Sequence, residues 1–398
     1  MLDILIAVFL GIIVGIITGI TPGLHVNSVN SFILLSLTST VSKFPIALTI
    51  FVVILSIIHS IIDIVPSIFL GAPNDESFLT VLPGHEMLVE GKGFEAVALT
   101  VLGVLSAIPL VLITIPVFIK LVPIIFESIT FYIPFILIFI AVYTFPRERN
   151  VFTGFVVFSL AGILGYASLN LPIKNSLLPL LSGLFGGSGL VLSSITNVKM
   201  LPQKIIRIKD FKLTKKEYFS AVLGAWFSAP FFSFLPSIGS GHAATISTEI
   251  IPQTRRSFLI TIGAINTIVN VLSFVTLYAI GKTRTGASAT IKQILGNLSF
   301  GNLVLIISVA VGAILLGSAL ALLIAKIFAT KLLKINYRAI SLSILIFLTF
   351  FILIFSGFLG LIVFITGTAI GIFAIQSNVR RINMMASLLV PTILIYLF

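Results

Sequence analysis

Cysteine is absent from the 398-residue chain, and acidic residues are scarce, with 12 Asp and Glu in all. Without cysteine there is no disulfide, no thiol nucleophile and no Cys-ligated metal. Charged residues make up 9% of the chain while 58% is hydrophobic, a balance that excludes a soluble globular fold. Enzyme signatures are missing too. There is no phosphate-binding Gly-rich loop ending in Gly-Lys-Ser/Thr, hence no ATP-driven pump, and no His-Glu-x-x-His metal helix. Asp63 has no second intramembrane aspartate near it with which to form a protease dyad. The net charge of +12 is not a nucleic-acid signal, because the Lys and Arg residues fall in short segments between apolar runs.

What is present is a series of apolar runs of about 20 residues, the length that crosses a bilayer as a helix. The runs are continuous and lack the alternation of a β-barrel strand. The expected fold is therefore an all-α, multi-pass protein of the cell membrane. It has about ten transmembrane helices and two hairpins built from broken helices. Apolar residues begin at Leu2 with no small-residue cleavage site, so no removable signal segment is expected.

In chain order, 2–42 reads as an apolar hairpin, 46–70 as a helix, 71–95 as a polar stretch and 94–119 as a helix closed by Lys120. Runs follow at about 123–145, 150–170 and 176–198. Residues 199–216 are strongly basic and placed in the cytoplasm. The plan then recurs, with a hairpin over 219–250, a helix over 258–280, a polar loop at 281–286, a helix over 302–326, and runs near 339–357, 359–377 and 383–398. The division is a first membrane repeat at 1–198, a basic linker at 199–216 and a second repeat at 217–398. Counting crossings from the basic segments puts both ends of the first hairpin outside and both ends of the second inside, the signature of inverted-topology repeats. Lys282 and Arg284 fall outside on this count, against the charge rule, which makes them candidates for neutralising an anionic ligand.

The two hairpins carry the polar chemistry. The first is interrupted by Thr21, Pro22 and Gly23, followed by His25, Asn27, Ser28 and Asn30. The second is interrupted at Pro236, followed by Ser237, Gly239, Ser240, Gly241, His242 and Thr245. Pro and Gly end a helix. A half-helix restarting there aims free N–H groups and a positive dipole end into the break, and such ends hold carboxylate or phosphate. A kink filled by neighbouring helices would use the same residues; breaks at matching places in two halves favour a solute site. Within the apolar helices, His59 and Asp63 share one face at a spacing of four, as do Asn266 and Asn270. An ionisable residue at that depth is a functional candidate, here for binding H⁺ or Na⁺. Asp75, Glu76, His85 and Glu86 fit no compact metal motif, and no metal or other cofactor is expected.

Three stretches resemble the large membrane subunit, TctA-type, of the tripartite tricarboxylate transporter permease family. They are Gly19-Ile20-Thr21-Pro22-Gly23-Leu24, then Gly71-Ala72-Pro73 with Pro83-Gly84-His85-Glu86-Met87 and Gly91-Lys92-Gly93, and Pro236-Ser237-Ile238-Gly239-Ser240-Gly241-His242-Ala243. Pro73, Asn74, Asp75 and Glu76 form the start of the middle motif. The resemblance implies secondary transport of organic acids, with a small membrane subunit and an extracytoplasmic binding protein as partners. The expected function is thus ion-coupled movement of a small di- or tricarboxylate-like anion through a midplane site between the hairpin tips. Membrane lipid surrounds the protein, and a homo-oligomer is compatible with it. The alternatives are a polyprenyl-phosphate or lipid-carrier translocase using the same helix ends, and an intramembrane enzyme or structural subunit.

Overall fold

The computed structural model describes residues 1–22, 43–71, 78–144, 146, 148–195, 201–206, 210–211, 213–331 and 337–398. These residues form helices and turns, with no strand among them. In chain order the helices are α1 (Leu2–Ile20), α2 (Pro45–Ile62), α3 (Ile64–Leu70), α4 (Phe78–Val89), α5 (Gly93–Ile129), α6 (Ile133–Thr144), α7 (Val151–Asn170), α8 (Leu177–Ile195), α9 (Lys215–Phe232), α10 (Ser240–Ile250), α11 (Arg255–Ile280), α12 (Gly286–Leu295), α13 (Phe300–Lys331), α14 (Tyr337–Gln376) and α15 (Ala386–Leu397). Eight helical spans among the described residues are long and apolar enough to cross a membrane.

One pair of runs that the sequence separates is continuous. The helix beginning at Gly93 does not stop at Lys120 but runs to Ile129, and after one 3-10 turn continues to Thr144. Lysine is a good helix former, so one charge in an apolar run ends nothing. By contrast, α14 is two helices that meet at a kink at Gly357, whose non-helical φ of 71° and ψ of −169° only glycine adopts readily, so the runs near 339–357 and 359–377 stay separate. The eight spans include α1 and count the two helices of α14 as one, while the run at 383–398 gives a helix shorter than a span.

Local signals set the ends. Pro45 opens α2 at a position where its missing N–H costs nothing. Thr214 and Glu217 cap each other at the start of α9, with Thr214 Oγ1 accepting from the Glu217 N–H at 3.2 Å and Glu217 Oε2 accepting from the Thr214 N–H at 2.9 Å. Both α3 and α11 end on a left-handed glycine, Gly71 (φ 64°) and Gly281 (φ 65°). Inside α5, Pro109, Pro116 and Pro123 recur every seventh residue, so they share one face. Pro109 and Pro116 are exposed, whereas Val104, Ala107, Val111, Phe118 and Val122 are buried.

The helices pack around two hydrophobic cores. The larger is built mainly from α1–α5 and α9–α13, with buried residues of α6, α8, α14 and α15 joining it. Its closest contacts use small residues, which let backbones approach in a setting where water cannot drive association. Gly11, Gly15 and Gly19 of α1 lie on α2, and a Cβ on them would come within 3.1, 3.1 and 2.9 Å of the carbonyl oxygens of Phe51, Leu55 and His59. Helices α5 and α11 cross with backbones touching: a Cβ on Gly103 would sit 1.9 Å from the Ile260 oxygen, and one on Gly263 2.0 Å from the Thr100 oxygen. The smaller core is built from α7, α8, the second part of α14, the turn Arg381–Met385 and Ala386, around Val157, Leu184, Phe185, Ile370 and Met384. Glu148 braces this unit, accepting from the Arg380 N–H at 3.1 Å and from Asn383 Nδ2 at 2.9 Å.

Candidate functional site: a cavity at the tip of the second hairpin

Helices α9 and α10 form the second hairpin, and residues 233–239 turn between them. Three features fix the tip. Ser237 adopts a left-handed φ of 56°, unusual for a residue with a side chain, and its hydroxyl bonds the hydroxyl of Thr392 in α15. Thr276 of α11 donates to the Ser233 carbonyl at 3.2 Å. Arg284, in the turn between α11 and α12, donates from Nε to the Phe232 carbonyl at 3.1 Å and from Nη2 to the Ile238 carbonyl. One guanidinium thus satisfies the last carbonyl of α9 and a carbonyl of the turn, at the end of a helix whose dipole is negative.

Beside this tip lies a cavity of about 360 Å³. It falls toward the lower end of the range for small-molecule sites, roughly 300–1,000 Å³. Polar groups reach it from Ser237, Ser240, Asn266, Asn270, Arg284 and Gln293, with Thr283, Thr285 and Thr290 adding hydroxyls. Leu177, Met385 and Leu388 close the opposite wall, from α8, the turn before α15, and α15. The cavity therefore lies on the seam between the two cores. Among the described residues, Arg284 is the one ionisable residue in its lining, and no Asp or Glu belongs to it.

Two helix N-termini abut the same space. Helix α10 begins at Ser240 behind Gly239, which has no side chain to cap the first N–H groups. Helix α12 begins at Gly286 behind Thr285, whose Oγ1 accepts from the Ser288 N–H at 3.2 Å. Each end contributes roughly half a positive charge. With Arg284, the lining suits an anion.

Of the residues the sequence singles out, the structure gathers Ser237, Gly239, Ser240, Asn266, Asn270 and Arg284 around this cavity. Gly241, His242 and Thr245 lie behind it on α10, with His242 buried and Thr245 Oγ1 donating to the Gly241 carbonyl at 3.0 Å. Lys282 is exposed and outside the lining. Thr21 and Pro22 lie elsewhere; the Thr21 hydroxyl donates to the Ile17 carbonyl at 2.7 Å within α1. Gly23, His25, Asn27, Ser28 and Asn30 of the first hairpin, and Pro73, Asn74, Asp75 and Glu76 of the middle motif, lie outside the described residues. His59 and Asp63 are buried away from the cavity. The His59 ring pairs with Thr18 of α1, Nδ1 to Oγ1, at 3.0 Å. Thr18 Oγ1 also lies 2.7 Å from the Val14 carbonyl, as a donor to it. Asp63 stands where α2 gives way to α3, its N–H donating to the His59 carbonyl at 2.9 Å.

Sequence reading misses Thr283, Thr285, Gln293 and the apolar wall. The Thr285-x-x-Ser288 spacing, a capping box, was the readable signal for the first two; Leu177, Met385 and Leu388 carry none. At the opposite end of the hairpin, Arg255 binds Glu86 at 3.2 Å and Glu90 at 2.9 Å, and Arg256 binds the buried Glu95 at 2.8 Å. Hydrogen bonds from Lys92, and then Arg255, hold the Glu90 carboxyl below its ordinary value. No group of three or more His, Asp or Glu side chains among the described residues is placed to hold a metal ion.

The sequence profile of the tripartite tricarboxylate transporter TctA family matches residues 5–386. Uncharacterized protein MJ1079 of Methanocaldococcus jannaschii is 31% identical over 412 aligned positions, covering 99% of this chain and 99% of that protein. No solved structure matches the chain.

Proposed function

The chain belongs to the tripartite tricarboxylate transporter TctA family, the large membrane component of a transport system and not an enzyme, and from this we propose that it moves a small organic anion held in the cavity beside Arg284. The observation that carries the reading is the lining itself: one guanidinium, two helix N-termini, neutral amides and hydroxyls, and no carboxylate. Such a site favours a di- or tricarboxylate-like solute, since an acid in the lining would repel it. Asn266 and Asn270 offer amide donors to the solute, and Arg284 sets both the charge and the position of the tip.

The two halves act as inverted repeats in this reading. Gly11, Gly15, Gly19 and Gly71 stand at the same spacing from Ala221, Ala225, Ala229 and Gly281, and these alanines are fully buried on α9. Packing exchanges in the same way: α1 lies on α2 as α9 lies on α11, and α2 packs on α13 as α11 packs on α5. This register sets Asn266 and Asn270 against Ser56 and Ser60, three positions from the His59 and Asp63 pairing that the sequence suggests. Inward H⁺ or Na⁺ movement drives accumulation of the anion, and a small membrane subunit with an extracytoplasmic binding protein delivers it.

Uptake of labelled succinate, citrate and tricarballylate into proteoliposomes, with imposed H⁺ or Na⁺ gradients and with the partner subunits added, tests this. The expected result is accumulation that Arg284→Ala abolishes. Absence of uptake across the panel in the complete system refutes it.

A further inference from the structure

Away from the cavity, three acids of the first half meet two arginines of the second. Glu86 lies in the last turn of α4 and Glu90 just follows it, Glu95 lies in the first turn of α5, and Arg255 and Arg256 open α11. Arg255 bridges Glu86 and Glu90, and Lys92 adds a bond to Glu90 Oε2 at 2.7 Å. Arg256 reaches the Glu95 carboxylate, which is buried. Each arginine thus ties the two halves of the chain together. The segment between the halves is fastened at the same place. The Gly93 N–H donates to Gln203 Oε1 at 2.8 Å, Gln203 Nε2 donates to the Leu88 carbonyl at 3.0 Å, and the Lys204 N–H donates to the Gly91 carbonyl at 2.8 Å.

The pairs differ in what it costs to part them. Arg255 and its two acids are exposed, and such pairs hold weakly. Glu95 is buried, so losing Arg256 leaves a carboxylate with neither partner nor water unless the space around it floods. A small parting is therefore the worst state, and the contact is either shut or opened wide. The geometry allows the second. Helices α5 and α11 touch at Gly103 and Gly263, and Glu95 and Arg256 precede those glycines by eight and seven residues, about 11 Å along each helix. Two helices that cross at one tight point can turn about it while their ends separate.

The equivalent positions at the opposite end carry no charge. In the register of the inverted repeats proposed above, Arg255 and Arg256 fall on Pro45 and Ile46, and Glu86, Glu90 and Glu95 fall on Gly296, Phe300 and Leu305. The cavity lies toward that end. Asn266 and Asn270 stand 11 and 15 residues along α11 from Arg255, about 16 and 22 Å, and Arg284 follows the far end of the helix.

We propose that Glu86, Glu90 and Glu95 with Arg255 and Arg256 form a latch that closes the end carrying the basic segment 199–216, and that the latch parts to open the cavity to that side. The equivalent surfaces at the opposite end lack these charges, so they part at lower cost, and the empty protein favours exposing the cavity there. The inference rests on the reading of the chain as two inverted halves that move, and not on which solute the cavity holds.

The chain has no cysteine, so one introduced thiol reports alone. Ser240→Cys places it in the cavity lining with little change of shape. The full chain is reconstituted in vesicles of fixed orientation and treated, without solute, with a membrane-impermeant maleimide from each side in turn. With the latch intact, labelling from the latch side should be slow and labelling from the other side faster. Adding Arg255→Gln and Arg256→Gln should speed labelling from the latch side about tenfold or more and slow it from the other side. Glu95→Gln provides a second variant should the first not fold. Unchanged labelling from the latch side in a folded variant overturns the inference, as does a rise of equal size from both sides, which is general loosening. No solute enters this assay, so absence of carboxylate uptake refutes the anion reading alone and leaves the latch to be judged by labelling.

Discussion

The helix pairs α1/α2 and α9/α11 meet in the same register but by different means. In the first, three glycines bring α1 onto α2, and Thr18 to His59 is its buried side-chain bond. In the second, alanines replace the glycines, and hydroxyls cross between the elements: Thr261 to the Ala221 carbonyl at 3.3 Å and Thr276 to the Ser233 carbonyl at 3.2 Å. The contrast extends to the partner helices. Where α11 meets α5 the backbones touch, while Gly317 of α13 faces α2 through the Ile61 side chain, 3.2 Å from where its Cβ would be. In the glycine-spaced pair the crossing bond joins two side chains, whereas in the alanine-spaced pair hydroxyls reach backbone carbonyls and hold a turn in position. The cavity lies beside the second kind of pair.

The sharpest way to break this comparison is at the crossings. Gly103→Ala or Gly263→Ala drives a methyl into a backbone carbonyl and should cost about 3 kcal/mol or more, whereas Gly317→Ala should cost about 1 kcal/mol; thermal unfolding in detergent separates them. Arg284→Ala removes two charge-assisted bonds to the tip along with the cavity's charge. It should lower uptake about 100-fold, with Arg284→Lys recovering only part of that, as initial rates will show. Asn270→Ala should raise KM about tenfold at unchanged Tm, while Ser60→Ala, at the equivalent place in the first half, should change neither. Gly15→Ala should cost about 1–2 kcal/mol, whereas Ala225→Gly should cost about 1 kcal/mol through chain entropy alone; equal effects would erase the distinction between the pairs. Thr18→Val should cost about 1 kcal/mol by removing the hydroxyl that the His59 ring bonds, read from Tm.

The membrane character of the chain, the break in its second hairpin and half of the cavity were legible in the sequence, because Pro, Gly and polar residues inside apolar runs have few other uses. Pro236, Ser237 and Gly239 announce a turn. Arg284 stood out by violating the charge rule, and it proves to be the residue that binds that turn. The apolar wall was not legible, because in a membrane protein Leu177 and Met385 look the same whether they face lipid, a core or a solute. Helix continuity through Lys120 was also hidden, since hydropathy marks the ends of apolar runs rather than the ends of hydrogen-bonded ladders. The glycine spacing in α1 was readable as a contact stripe, but nothing in it names α2 as the surface it meets.

The three prolines of α5 have a mechanical consequence. Each removes the N–H that would have bonded the carbonyl four residues earlier, so the acceptors at Leu105, Leu112 and Ile119 lose their helical partners on one side of the cylinder. A rod notched three times along one face bends far more easily in one plane than in any other. On the unnotched side, Thr114 accepts from Trp226 Nε1 at 2.9 Å and Phe118 meets Phe234 with ring centres 6.2 Å apart, just before the tip of the second hairpin. A bend of α5 in that plane would carry the Thr114–Trp226 and Phe118–Phe234 contacts with it, and so bear on the residues next to the turn that Arg284 holds.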